Sequence, residues 1–359
     1  MTARQFFATL PIPIIQAPMV GASGVALAAA VSRAGGLGSL AAGALTPDAI
    51  ERDAAALRAE GRPFAVNLFV LKPARPTGEA LNAAIERLAP WYAELGQPPP
   101  DAPNDFAPGF EAQFAALVRA APPAASFTFD ALPREKVEAL RAAGTLVMGT
   151  ATTVAEARAW AEVGADAICA QGSEAGGHRG HFLAETEASL VGTMALVPTV
   201  AAAVDLPVIA AGAIMDGRGV AAALALGAAA VQMGTAFLLA DEAVISPPWR
   251  DAVVGAPDDP TRLTRAFSGR HARGIENRFV RELRAIEDEV PAYPVQNRLT
   301  QPLRAAAAAA GEADLLSLWA GQGMKLARPA PAAELVRAWW DEARATAQHL
   351  AGRTAATPR

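Results

Sequence analysis

The sequence predicts an α/β chain folded as a TIM (β/α)8 barrel, with a helical insertion after the third strand and a helical C-terminal extension. Eight short runs that are apolar on both faces recur along the chain, the pattern of parallel strands covered by helices. Ala/Leu-rich segments with helix-start signals separate them. The runs also end in glycines and polar side chains, at the strand ends where such a barrel carries its site.

In order, the runs cover residues 14–19, 36–40, 64–69, 126–129, 146–150, 167–171, 207–212 and 230–235. Thr46, Pro47 and Asp48 open one helix, with Thr46 as cap and Pro47 in the first turn. Thr153 and Glu156 read as a capping box before a helix over 157–163. Residues 72–119 are too many for a βα loop. They carry a Pro-rich stretch at 97–108 between helical patterns, which reads as an insertion near the mouth. After the eighth run come a helix-like segment at 277–289, a segment at 293–303, an alanine run at 305–310 and an amphipathic helix at 332–350. The expected division is a cofactor-binding barrel over 1–239 and a mainly helical, substrate-covering domain over 240–359.

Composition narrows the function. With 52% hydrophobic and 19% charged residues, the chain has material for a large core and too little charge for disorder. The net charge is −5 and Lys and Arg are scattered, so no nucleic-acid partner is expected. One cysteine, Cys169, rules out a disulfide framework, and with four histidines no metal site is expected. Residues 1–16 lack a signal-peptide pattern, and no apolar run reaches the roughly 20 residues of a membrane span. A cytoplasmic monomer or homodimer is the expectation.

The segment 170–180, Ala-Gln-Gly-Ser-Glu-Ala-Gly-Gly-His-Arg-Gly, follows the sixth run. Its glycines let backbone N–H groups approach a ligand, and His178 titrates near neutral pH. Other strand ends supply Gln16, Pro18, Met19, Asn67, Thr128, Asp130, Thr150 and Gln171. Glycines after the seventh and eighth runs fit the phosphate position of this barrel. Amides such as Asn67 and Gln171 offer a donor and an acceptor to a polar heterocycle. A flat heterocycle bearing one phosphate describes FMN. Cys169 reads as an inert buried strand residue, His181 as loop support, and His271 and His349 as surface residues.

The runs Ile15-Gln16-Ala17-Pro18-Met19, Val66-Asn67-Leu68-Phe69, the 170–180 segment, Ala211-Gly212-Ala213-Ile214 and Gln232-Met233-Gly234-Thr235 resemble nitronate monooxygenases. Tyr293-Pro294 and Trp319-Ala320-Gly321-Gln322-Gly323 look like the C-terminal motifs of class I of that family. The glycine–histidine motif is shared with FMN-dependent enoyl-acyl-carrier-protein reductases. The resemblance implies non-covalent FMN and oxidation of alkyl nitronates by O2, through a flavin semiquinone, to a carbonyl compound and nitrite. Propionate 3-nitronate is the substrate the class suggests. It implies a cofactor site of Asn67, Gln171, Gly176, Gly212, Gln232, Met233, Gly234 and Thr235, to which the strand-end and loop reading adds Pro18, Met19 and Gly177. His178 would be catalytic and Thr128, Tyr293 and Lys325 would line the substrate pocket, with Arg179 a second candidate for a substrate carboxylate. The alternative is an FMN-dependent NAD(P)H reductase of quinones or enoyl thioesters. In one place the chain departs from the family: a Ser-Phe-His-Phe-Gly setting is here Ser126-Phe127-Thr128-Phe129-Asp130. Asp130 would repel an anionic substrate unless it turns away.

Overall fold

The computed structural model describes residues 2–355; Met1 and 356–359, which the two expected domain spans include, lie outside the described residues. All eight apolar runs form strands of one parallel sheet. These are β1 (Ile14–Gln16), β2 (Gly38–Ala41), β3 (Phe64–Phe69), β4 (Ala124–Thr128), β5 (Leu146–Ala151), β6 (Ala167–Gln171), β8 (Val208–Ala211) and β9 (Ala230–Met233), with a two-residue strand β7 (Gly177–His178) outside the sheet. The sheet order is β1-β9-β8-β6-β5-β4-β3-β2, and a bridge between Ile15 and Leu37 brings its two edges together into a barrel.

The N-terminal end of the barrel is closed by the helix Ala3–Thr9, whose Phe6 and Phe7 pack against Ile15, Ala65, Ala124 and Ala167. Small residues at the strand starts leave room for these two rings. The other end is therefore the open one.

The Pro47–Ala59 helix starts as expected, with Thr46 Oγ1 accepting from Ala49 N at 3.3 Å. The capping box at Thr153 is half formed. Thr153 Oγ1 accepts from Glu156 N at 3.3 Å, but the Glu156 carboxylate turns elsewhere. It accepts from Thr152 N and Oγ1, both at 2.7 Å, and from Phe182 N and Leu183 N at 2.6 and 3.1 Å. Glu156 is fully buried. Burial alone would raise its pKa, yet these donors together hold it below the usual carboxylate value. Four donors in a buried turn outweigh the single N–H of a cap.

The departure from the barrel after β3 is shorter than 72–119. The Phe110–Ala120 helix packs on the Pro47–Ala59 helix and β3, as the regular outer helix of that βα unit. Only the Gly78–Glu94 helix leaves the barrel. It docks on the Val295–Ala310 helix, where Tyr92 Oη donates to Leu299 O at 2.6 Å. Likewise the Ala332–Ala355 helix does not lie over the mouth. It packs between the Val25–Ala34 and Gly217–Ala225 helices and supplies the outer helix that β9 otherwise lacks. Trp339, fully buried, meets the Phe237 ring edge-on at 5.0 Å there.

The cover over the mouth has its own apolar cluster, including Leu88, Trp91, Phe267, Phe279 and Leu303. It also holds antiparallel strands β10 (Thr261–Thr264) and β11 (Ala272–Ile275), and β11 pairs with β7 so that Ala272 lies opposite His178. Strands this short leave no periodicity in the sequence. Among the described residues no helix is long and apolar enough to cross a membrane, and no cluster of His, Cys, Asp and Glu is placed to hold a metal.

Candidate active site

A cavity of about 230 Å³ lies between the C-terminal strand ends and the cover. It is lined by Pro18 and Met19 after β1, Asn67 on β3, Thr128 on β4, Gln171 on β6, and Gly176, Gly177 and His178 on the loop that follows. Gly212 follows β8, Gln232 lies on β9, and Gly234 and Thr235 come directly after it; Tyr293 descends from the cover. Three expected residues lie elsewhere. The Met233 side chain is 1% exposed and packs in the core between sheet and helices. Lys325 is outside the cavity, its ammonium donating to Ala256 O. Arg179 is fully buried and donates to the carbonyls of Gly172, Gln171 and Ser189. Arg179 therefore pins the glycine loop and does not face a ligand.

The amides divide by what they already hold. Gln171 Nε2 donates to His178 O at 3.0 Å and its Oε1 accepts from Gly180 N at 2.8 Å, so this side chain clamps the loop that presents His178. Asn67 Nδ2 donates to Ser126 O and Oγ at 3.1 and 2.9 Å. That leaves the Asn67 Oδ1 as a free acceptor. The Gln232 amide has no protein partner. At the ends of β8 and β9, the N–H groups of Gly212, Ala213, Gly234 and Thr235 form no hydrogen bond to protein, although all four residues line the cavity. Lining one cavity together, these four N–H groups are available to an acceptor on a ligand.

Two glycines of the loop serve different needs. A Cβ on Gly176 would lie 2.5 Å from Gly321 N and 2.6 Å from Ala320 C, so the loop touches the covering segment backbone to backbone. Gly177 has open space around it but a φ of +73°, which L side chains rarely adopt.

His178 sits in an aromatic enclosure. The rings of Phe69, Phe129, Tyr293 and Trp319 surround it at centroid distances of 6.4, 5.6, 5.4 and 5.7 Å. Its Nε2 is buried without a partner, and Nδ1 has none either. Burial first, then the guanidinium groups of Arg270 and Arg304, push its pKa down to about 3. The imidazole is neutral at pH 7. Thr128 Oγ1 lies 3.3 Å from Thr150 Oγ1, the two forming a hydroxyl pair on the wall. Asp130 turns away: its carboxylate accepts from Ala131 N and pairs with Lys72 at 3.4 Å, outside the cavity. His271 is no surface residue, since its Nδ1 is 2.8 Å from Thr186 Oγ1 and burial lowers its pKa. Cys169 is buried, with its thiol pushed up to about 12.

Sequence reasoning missed Arg304, Asn297 and Trp249 on the cavity wall, and the part played by Phe129. Phe129 has a φ of +88° and stacks on Phe69 at 4.5 Å, with the Arg270 guanidinium 4.3 Å from its ring centre. No local pattern marks a cavity-facing residue on a distant helix such as Arg304.

Comparison with known proteins finds relatives over most of the chain. The family model described as nitronate monooxygenase matches residues 3–341. The chain is 46% identical over 340 residues to a nitronate monooxygenase of Pseudomonas aeruginosa, covering 92% of this chain and 96% of that one. It is 41% identical to a probable nitronate monooxygenase of Staphylococcus aureus, covering 90% and 92%. Among solved structures, a nitroalkane oxidase from Streptomyces ansochromogenes superposes with a TM-score of 0.89 at 44% identity, covering 96% of this chain and 99% of that one. FabK from Thermotoga maritima superposes with a TM-score of 0.76 at 30% identity, covering 98% and 99%.

Proposed function

This chain belongs to the nitronate monooxygenase family, a family of flavoenzymes, and from that premise we propose that it uses FMN to oxidise alkyl nitronates with O2 to a carbonyl compound and nitrite. The residues suit FMN on two counts. The four unpaired N–H groups after β8 and β9 fit a phosphate. The Asn67 Oδ1 and the Gln232 amide suit the polar edge of a flavin ring. FMN, when bound, supplies the electron-accepting chemistry that side chains lack.

The protein's own residues bind and orient. The observation that carries the reading is His178, an imidazole on the cavity wall with neither nitrogen engaged. With its pKa near 3, it is a poor acceptor for the α-proton of a neutral nitroalkane. A neutral imidazole N–H is instead a donor to the oxygens of a nitronate that arrives already formed. In the Thr128–Thr150 pair one hydroxyl donates to the other, which leaves one hydroxyl donor free on the adjacent strands. The aromatic rings around His178 lower the local dielectric, which would strengthen these contacts.

The test is oxygen uptake by the FMN-loaded protein on adding propionate 3-nitronate, with no pyridine nucleotide present. Uptake with matching nitrite release is the expected result. No uptake, with rapid bleaching of the flavin by NADH or NADPH, would replace this reading with a reductase.

A further inference from the structure

Four guanidinium groups lie deep in this protein near the site, and three of them have carboxylates within electrostatic reach. Arg179 has Glu156 and Glu174, Arg270 has Glu156 and Asp130, and Arg273 has Glu174. Arg304 has none. The groups that favour its charge are the phenols of Tyr293 and Tyr92, and burial raises the pKa of both, so both are neutral at pH 7. Its hydrogen bonds all go to neutral acceptors: Nε to Thr300 O at 3.3 Å, Nη1 to Ser317 Oγ at 3.3 Å, and Nη2 to Asn297 O and Oδ1 at 3.0 and 2.9 Å. Four of the five guanidinium N–H groups are used, and one on Nη1 is left over.

Arg304 is also the one Lys or Arg side chain, among the described residues, that lines the cavity. It acts electrostatically on both His178 and Tyr293. The Tyr293 hydroxyl has no protein partner, and neither His178 nitrogen has one. A buried cation without a counter-charge is costly, and the spare Arg304 N–H, the Tyr293 hydroxyl and the single N–H of neutral His178 are three donors left without an acceptor at the same cavity. One planar anion with two oxygens would satisfy them together. The N–H groups after β8 and β9 already provide a place for a phosphate, so this charge is not needed there.

We infer that Arg304, with the Tyr293 hydroxyl, forms a substrate subsite for a two-oxygen anion, and that this subsite selects anionic substrates over neutral nitroalkanes. The inference rests on the nitronate reading above. Two parts of a substrate share the required chemistry: the nitronate head and a carboxylate at its far end.

The experiment titrates the FMN-loaded protein with nitrate, with propionate and with neutral nitroethane, following the flavin absorption spectrum. Arg304→Met keeps the length and removes the charge; Arg304→Lys restores a charge. The expected result is saturable anion binding that weakens about 30-fold or more in Arg304→Met, as when one partner of a buried charge pair is removed. Arg304→Lys should recover most of it, and nitroethane binding should change less than threefold. A loss for nitrate assigns the subsite to the nitronate head; a loss for propionate alone assigns it to a distal carboxylate. Either keeps Arg304 as the anion residue. Anion affinity within threefold of wild type in Arg304→Met, an equal loss for nitroethane, or no saturable anion binding by wild type would each overturn the inference. If Arg304→Met fails to fold, Tyr293→Phe, which disturbs no protein hydrogen bond, should still weaken anion binding about tenfold; unchanged binding there overturns it. Oxygen uptake keeps the two readings separate. Arg304-dependent anion binding without nitronate turnover would refute the proposed function and leave the subsite. Turnover with a KM unchanged in Arg304→Met would do the reverse.

Discussion

Gly176→Ala tests whether the glycine loop and the covering segment form one unit. The added Cβ would lie 2.5 Å from Gly321 N, 2.6 Å from Ala320 C and 3.0 Å from Ala320 Cα. All three are backbone atoms, so no rotamer change relieves the clash and the 319–323 segment must move. Overpacking of this kind costs about 1–3 kcal/mol. The movement also strains the bond from Gly321 N to Thr235 Oγ1, now 2.9 Å, worth about 1 kcal/mol. Together this is roughly 2–4 kcal/mol, and at about 2 °C per kcal/mol for a large domain the melting temperature should fall roughly 4–8 °C. Gly177→Ala is the control. It meets nothing within 4 Å but holds a φ of +73°, costing about 1–2 kcal/mol and at most about 4 °C. Thermal unfolding of both holoproteins, with flavin release measured by ultrafiltration, separates them. Gly176→Ala should lose flavin more readily, because Thr235 and Gly321 both line the cavity. A Gly176→Ala protein that melts within 2 °C of wild type and retains flavin equally would refute the reasoning.

The remaining predictions concern pH, cofactor and substrate wall. The folded-state pKa values of His178 and His181 are depressed to about 3 and about 4, and that of His271 is lowered too, by burial first in each case and then by nearby arginines. The unfolded chain binds these protons first, so the stability they confer is present above pH 6.5 and is lost as pH falls toward 3. Each contributes at most about 1.4 kcal/mol per pH unit. Denaturant unfolding should weaken from pH 7 to 4.5, with a shallower slope in His178→Phe; a flat profile would sink the argument. Apoprotein should take FMN about 100-fold more tightly than riboflavin, the equivalent of about 3 kcal/mol from charge-assisted bonds to the four free N–H groups; equal affinities in fluorescence titrations would remove the phosphate from that place. Thr128→Ala should raise the nitronate KM about 3- to 10-fold, one net hydrogen bond of about 0.5–1.5 kcal/mol; unchanged steady-state kinetics would take Thr128 off the substrate wall.

What the sequence discloses here follows the range of the forces involved. Strands buried on both faces must be apolar throughout, so all eight barrel strands stand out as runs, and their C-terminal ends lead directly to Asn67, Gln171, His178 and Thr235. Properties that depend on a partner distant in the chain do not show. Glu156 has the spacing of a capping residue, yet Phe182 and Leu183, 26 and 27 positions on, draw its carboxylate away. The Ala332–Ala355 helix has the amphipathic pattern of any docking helix, and only the vacancy beside β9 decides that it belongs to the barrel wall. Arg179 and Lys325 were plausible cations for an anion by residue type alone. Three loop carbonyls hold one and Ala256 O the other, while Arg304 faces the cavity from a helix whose local sequence gives no sign of it.

The division of charge in the cavity also bears on the Ser-Phe-Thr-Phe-Asp departure. A titratable side chain at position 128 would add a second proton carrier beside His178, but an anion that is already deprotonated needs none. It needs a counter-charge and neutral donors. In the proposed subsite Arg304 would provide the first, and His178, Tyr293 and the Thr128–Thr150 pair, all on the cavity wall, the second. Asp130, the one residue of the motif that would oppose an anion, is neutralised by Lys72 outside the cavity. Burial first, and then the charges of Arg270 and Arg304, hold His178 neutral, so that it offers an N–H to an acceptor in the cavity.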